Sequence, residues 1–436
     1  MKTIVIDYIK NESIHRLNKT ILASLKNALA DVVASALAGS ATDAVKKVKQ
    51  FSCNHWKEGE SSIFLSSQKL SPIGAAFVNA TMANALDIDD GHRLTKGHPG
   101  AVVFPAVLAA GEDFHCSGEE FLTSLLIGYE VGIRAGIIAH KVRPEYHCTG
   151  SWGALGATAG VSRILDLSKL EIGHALGIAE YQSTYSPMMR CIEHPSMVKD
   201  GIGWGCMTGI SASYLAKEGF TGIPSLFSFD EAADFANDLG VKYRVEELYF
   251  KPFACCRWAQ PAIEALKMLM EQHPISSEEV MKIKIYTFTE SASLPTSKPR
   301  NTEEAQYNLS FPLASYLVFQ EVGPDQVLNQ LDHPKVLEIM DRIEVNVSEQ
   351  LNRKFPKKAL SRIEVFMQDG TIYRSETLQA KGDWDFPLTI DEKKEKFFRL
   401  VEPLLGHERC KELYEMIYEI DKLPNLKEFT HLIRKI

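Results

Sequence analysis

Three carboxyls and two imidazoles crowd one short, glycine-flanked segment: the run Ala85-Leu86-Asp87-Ile88-Asp89-Asp90-Gly91-His92, followed closely by Gly97-His98-Pro99-Gly100-Ala101. A loop that only joined two helices would need none of them. A proton-transfer site needs groups that titrate near neutral pH, carried on backbone that can approach a ligand closely. Two further stretches have the same character. His147-Cys148-Thr149-Gly150-Ser151-Trp152-Gly153 places another histidine among glycines, and Met197-Val198-Lys199-Asp200-Gly201 offers a lysine. This set suits removal or return of a proton next to a carboxylate, where carbanion-like charge develops and needs both a base and cations to hold it. Lys199, His98 and His147 can supply both, since gathered cations lower one another's pKa and leave at least one neutral at pH 7. Asp87 would orient a histidine or hold Lys199. Arg257, in Cys255-Cys256-Arg257, would fork a substrate carboxylate or enter a structural ion pair.

Plainer roles suit several neighbours. Asp89 and Asp90 read equally well as a helix-terminal charge run, Cys255-Cys256 as a buried turn rather than a redox pair, and Trp152 as core packing. His92 with Asp89 and Asp90 has the residue types of a metal site, but spacing places no third or fourth ligand, so no metal is expected.

What must position these residues is mostly helix. Ile14, Leu17, Ile21, Leu25, Leu29, Val32, Val33, Ala36 and Leu37 recur at three- and four-residue spacing, with Gly39 as the stop. The same periodicity runs through 73–86, 102–111, 121–140, 153–165, 170–180 and 201–217. Many of these segments are rich in alanine and glycine, which lets helices approach closely. After about Tyr249 period-two alternation takes over, in 280–289 and in Ile343–Val347, and 362–377 reads as two strands joined at Gln368-Asp369-Gly370. Beyond Thr389 the helical period returns. The spacing therefore predicts a mainly α fold: a helical domain over 1–250, a smaller α+β lid domain over 251–390, and C-terminal helices, 391–436, packing back on the helical domain. The ligand site is expected between the two domains.

At 436 residues the chain is longer than one core usually serves. Its 45% hydrophobic and 24% charged residues are those of a soluble globular protein, and a net charge of −8 gives no electrostatic reason to expect nucleic acid or an anionic membrane as partner. A small molecule is expected instead. Eight scattered cysteines with no Cys-x-x-Cys suit a reduced, cytoplasmic setting, and the first ten residues lack a signal-peptide pattern. In the most apolar stretch, 121–138, Glu130 and Arg134 form an i,i+4 pair better suited to a buried helix than to a bilayer.

Taken in order, the segment from Asp87 to Ala101, the segment from His147 to Gly153 and Cys255-Cys256-Arg257 resemble the MmgE/PrpD family. Glu218-Gly219-Phe220-Thr221-Gly222 and Ala305-Gln306-Tyr307-Asn308-Leu309 extend the resemblance over essentially the whole chain. That family includes 2-methylcitrate dehydratase, cis-aconitate decarboxylase and iminodisuccinate epimerase. The resemblance implies a large helical domain, a smaller α+β lid, a homodimer, and a cleft between domains that works without a metal or organic cofactor. It assigns the family's acid to Asp87, its two histidines to His98 and His147, and its lysine to Lys199. Gly91 stands where decarboxylase-type members carry a threonine, and Phe311 where they carry a tyrosine; these two, with His92 and Arg257, are expected to line the substrate site. The missing hydroxyls favour a hydro-lyase of the 2-methylcitrate dehydratase type acting on a small di- or tricarboxylate. An epimerase of an iminodisuccinate-like acid and a decarboxylase of the cis-aconitate type are the alternatives, and a non-catalytic carboxylate binder comes last.

Overall fold

A computed structural model describes residues 3–434. Helices fill the first half where the apolar period places them, with one different start. The first long helix is Lys19–Gly39 rather than one beginning at Ile14, because Leu17 is extended and the Asn18 side chain caps the Ile21 N–H; Ile14–Arg16 is a separate single turn capped by Ser13. Pro72–Asn84, Pro99–Asp113, Gly118–Val142 and Ile202–Lys217 follow, and the last three pack around a central helix, Thr149–Ile164. Backbone meets backbone there. A Cβ on Gly156 would lie 2.7 Å from the Gly128 carbonyl oxygen and 2.9 Å from Gly132 Cα, so only glycine allows this approach. The contact fixes the central helix along its axis, and with it Thr149 at its N-terminus.

Lys19–Gly39 and Gly118–Val142 are long and apolar enough to cross a membrane, but their apolar windows are 78% and 100% buried in the fold. The second encloses the expected Glu130–Arg134 pair at 2.5 Å, and Arg134 also meets Asp238 at 2.7 Å. A guanidinium satisfied on both sides can be buried; an unpaired one could not.

The second half contains the expected strands. Val280–Thr287 stops short of residue 289 because Phe288 begins the next helical turn. It runs parallel to Ile343–Val347 and antiparallel to Leu360–Met367, which in turn pairs with Ile372–Arg374. The hairpin between the last two turns at Gly370, whose φ of 87° is the left-handed value the Asp-Gly signal predicts. This half holds more helix than alternation suggests. Gln260–Gln272 packs on the sheet, and Ser310–Phe319 is too uniformly apolar and buried to show a period. Helix Ile390–Leu405 then lies along Lys19–Gly39. There Lys396 pairs with Asp31 at 2.5 Å and donates to the Ile88 carbonyl at 2.7 Å.

Candidate active site

Helix Pro72–Asn84 ends just ahead of the acidic run, and its last carbonyls have no partner within the helix. Lys199 supplies one: Nζ donates to the Asn84 and Ala85 carbonyls at 2.6 and 3.3 Å and to Gln306 Oε1 at 2.5 Å. The helix dipole favours a cation there. The chain then turns at Asp87, whose φ of 53° lies in the left-handed region that aspartate tolerates better than most residues. Lys199 itself has a φ of 46°, a strain of about 1–3 kcal/mol that persists only where the surroundings hold it. Asp87, Asp89 and Asp90 are all buried, so the run is no solvated charge patch.

A bridge between His92 and Gly97 folds the segment back and brings His98 onto these carboxylates. His98 Nδ1 lies 3.1 Å from Asp89 Oδ2, and Nε2 lies 3.4 Å from Asp87 Oδ1. Burial pushes the imidazole towards its neutral form, but Asp89 pushes the other way, and with help from Asp87 against Lys251 the net direction is up. The cluster therefore favours the imidazolium form of His98. Lys251 completes the cluster: it is 1% exposed, with Nζ 2.9 Å from Asp87 Oδ1 and donating to the Asp87 carbonyl at 2.8 Å. A two-residue ladder pairing Gly91 with Tyr249 and His92 with Leu248 delivers it. Burial is the largest influence and disfavours its charge, yet Asp87, and behind it Tyr249, Asp89 and Cys256, together outweigh burial and favour the ammonium. Asp87, Asp89 and His98 present ligand atoms within 4.8 Å of one another, spacing a cation could use, and Lys251 already lies on one of those oxygens.

A second layer holds this cluster in place. The His98 N–H donates to Thr149 Oγ1 at 3.1 Å, and Asp200 accepts from the Thr149 N–H at 2.8 Å and from its hydroxyl. Burial pushes Asp200 up to about 6. Burial, and after it the nearby Asp31 and Asp89 carboxylates, push Asp90 well above the usual carboxylate range.

A cavity of about 410 Å³ opens beside the cluster, with walls from both halves of the chain. Asp87, His98 and Lys251 line it, as do Arg93, Lys96, Tyr249, Arg257, Glu290 and Tyr307. Arg257 is ion-paired to Asp383 through Nη2 and lies 5.3 Å from the centre of the Tyr249 ring.

The other expected residues are dispersed. Lys199 lines a separate cavity of about 620 Å³ with Cys191, His194 and Trp204; Met188 borders both cavities. His147 borders neither. Its Nε2 meets the Arg143 carbonyl at 3.1 Å, and its ring packs 5.6 Å from His140 and 5.5 Å from Tyr185. His92 is buried with Nε2 3.4 Å from Glu247, Phe311 is buried inside its helix, and Trp152 is core. Gly91 does not line the cavity; it lies against the Tyr249 ring, which does. Cys255 and Cys256 are buried free thiols, and burial pushes Cys256 up to about 12. The glycines beside His98 make room for the site's own side chains: a Cβ on Gly97 would lie 2.2 Å from Thr149 Oγ1, and one on Gly100 2.1 Å from Asp90 Oδ1. Lys251, Tyr249, Tyr307 and Asp200 were not singled out by sequence reasoning. Lys251 did leave a signal, as the lone charge in Leu248-Tyr249-Phe250-Lys251-Pro252-Phe253-Ala254, since a lysine is buried only when paired.

Residues 4–236 match the MmgE/PrpD N-terminal domain and residues 253–421 the MmgE/PrpD C-terminal domain. The cis-aconitate decarboxylase-like protein oryM of Aspergillus oryzae is 24% identical, with 95% of this chain and 93% of that protein aligned. The cis-aconitate decarboxylase of Aspergillus terreus is 22% identical over 95% of this chain and 91% of its own, and that of Homo sapiens 22% identical over 96% and 91%. The similarity runs through the buried His98 cluster and on through the sheet and the returning helix, and the chain belongs to the MmgE/PrpD family.

Proposed function

We propose that the protein is a lyase of a small di- or tricarboxylic acid, working in the 410 Å³ cavity, with His98 as the proton donor and a decarboxylation of the cis-aconitate type as its reaction. One observation carries this reading: the His98 ring lies between the Asp87 and Asp89 carboxylates, which favour its protonated form, beside the Lys251 ammonium, so the site offers the substrate a proton donor and a cation. When a substrate carboxylate leaves as CO₂, the electron pair of the broken C–C bond stays on carbon. The Lys251 ammonium and the neutral Tyr307 phenol stabilise that charge, and His98 delivers a proton to the carbon. Water then reprotonates the imidazole. The relatives named as cis-aconitate decarboxylases support this choice over the hydro-lyase expected from Gly91 and Phe311. Phe311 lies away from the cavity, so its missing hydroxyl carries no weight.

Dehydration is the second reading, favoured by Glu290. It lines the same cavity with a buried carboxylate oxygen that has no partner, as a base taking a proton from carbon would require. Lys199, bound to two carbonyls and Gln306, then acts as a positioning residue for the loop that carries Asp87. Free thiols throughout support a reducing, cytoplasmic setting, and a homodimer without a metal or organic cofactor completes the proposal. The test is incubation of purified protein with cis-aconitate and with 2-methylcitrate in deuterated water. CO₂ release with deuterium at the new C–H bond supports decarboxylation, and loss of the hydroxyl without CO₂ supports dehydration. Failure to bind or turn over either acid rejects the assignment.

A further inference from the structure

Tyr249 has the geometry of a specificity determinant, an inference that rests on the reading that this cavity holds the acid substrate. Gly91 and Tyr249 are register partners in their short antiparallel ladder. A Cβ on Gly91 would lie 2.2 Å from the tyrosine Cζ and 2.3 Å from its hydroxyl oxygen. The glycine is not there for its backbone, because Gly91 is not among the residues with positive φ. What it provides is the space the phenol occupies. On the cavity side the guanidinium of Arg257 lies 5.3 Å from the ring centre, with Nη2 held by Asp383 and Nη1 buried without a partner. Burial raises the phenol far above its ordinary value, against the opposing charges of Lys251 and Arg257, so its hydroxyl is a donor at neutral pH.

A fixed guanidinium fork beside a directional O–H is a two-point reader of a carboxylate. We propose that Tyr249 binds substrate: its hydroxyl donates to the carboxylate that Arg257 holds, and its ring, filling the space above Gly91, sets how bulky the acid can be at that end. The chemical class recognised is a small acid with an unbranched terminal carboxylate arm.

The test compares the wild type with Tyr249→Phe, Gly91→Ala and the double variant Gly91→Ala/Tyr249→Leu. Each is assayed with the acid the wild type turns over and with its homologue methylated on the terminal arm, and binding is read by calorimetry. Losing a hydrogen bond to a charged group should raise KM about 10- to 100-fold in Tyr249→Phe, with kcat changed less than about threefold and the melting temperature unmoved. Gly91→Ala should displace the ring and weaken binding of the parent acid, and the double variant should come to prefer the methylated acid. A Tyr249→Phe enzyme whose KM stays within about twofold of wild type, or a double variant with unaltered preference, overturns the proposal while leaving the functional reading intact. A wild type that binds neither acid sinks both.

Discussion

Replacing Asp89 by asparagine tests whether the His98 proton is held electrostatically. The carboxylate is fully buried, 3.1 Å from His98 Nδ1, and asparagine keeps its shape while removing its charge. At an effective dielectric of about 20, two unit charges roughly 3 Å apart attract by about 5 kcal/mol, equivalent to between three and four pKa units. Relaxation and the remaining Asp87 charge at 3.4 Å will return part of this, and the His98 pKa still falls. The direction is decisive. In the wild type Asp89 and Asp87 together overcome burial; without Asp89, burial and Lys251 prevail and the imidazole becomes neutral at pH 7. A reaction that needs the imidazolium loses rate as pH rises through the His98 pKa. The falling limb, above pH 6.5 in the wild type, should therefore move below it in Asp89→Asn, and kcat at pH 7 should drop about 10- to 1000-fold. The assay is initial rate of CO₂ release from pH 5 to 9, alongside an NMR titration of the His98 ring. If the limb and the ring titration were both unmoved, His98 would not be the acid.

Other perturbations separate the site's parts. Lys251→Met leaves Asp87 buried with only His98 as counter-ion and should cost about 3 kcal/mol of stability together with most activity, read by denaturant titration at pH 7; unchanged stability would remove Lys251 from the cluster. His147→Ala should keep kcat within about fivefold of wild type, because the ring borders neither cavity, and a loss of a thousandfold or more would show that another conformation brings it to the substrate. Exhaustive dialysis against a chelator should leave the rate intact, since Lys251 supplies the charge that a Lewis acid would on Asp87; activity restored only by a particular divalent cation would transfer that role to the Asp87–Asp89–His98 group.

The helices and the hairpin were legible because each depends on local order: a 3.6-residue period, a Gly-rich face, an Asp-Gly turn. The same holds for Asp87 and His98, which meet within one folded-back segment. His147 and Lys199 look equally chemical in sequence, yet their neighbours are settled by packing between distant helices. Lys199 is drawn to the carbonyls at the end of Pro72–Asn84, and His147 to a pocket of aromatic rings, and neither pull leaves a mark in the local sequence. Lys251 shows the converse: its role depends on a ladder between residues 91–92 and 248–249, a pairing too short to carry a strand signal. The early start expected for the first long helix failed for a local reason, since Asn18 competes for the backbone N–H that helix propagation would have used.

Lys396 joins Asp31 and the Ile88 carbonyl from a helix near the end of the chain, which bears on how the protein is made. A ribosome delivers Asp31, Asp87 and Asp89 first, Lys199 and Lys251 well after them, and Lys396 365 residues after Asp31, a delay of about 20 to 70 s at ordinary rates of synthesis. During that interval the emerging helices have carboxylates without the cations that let them leave water. The helical half therefore cannot close fully as it emerges, and a helix made near the end of synthesis sets the moment at which the first-made part of the protein finishes folding.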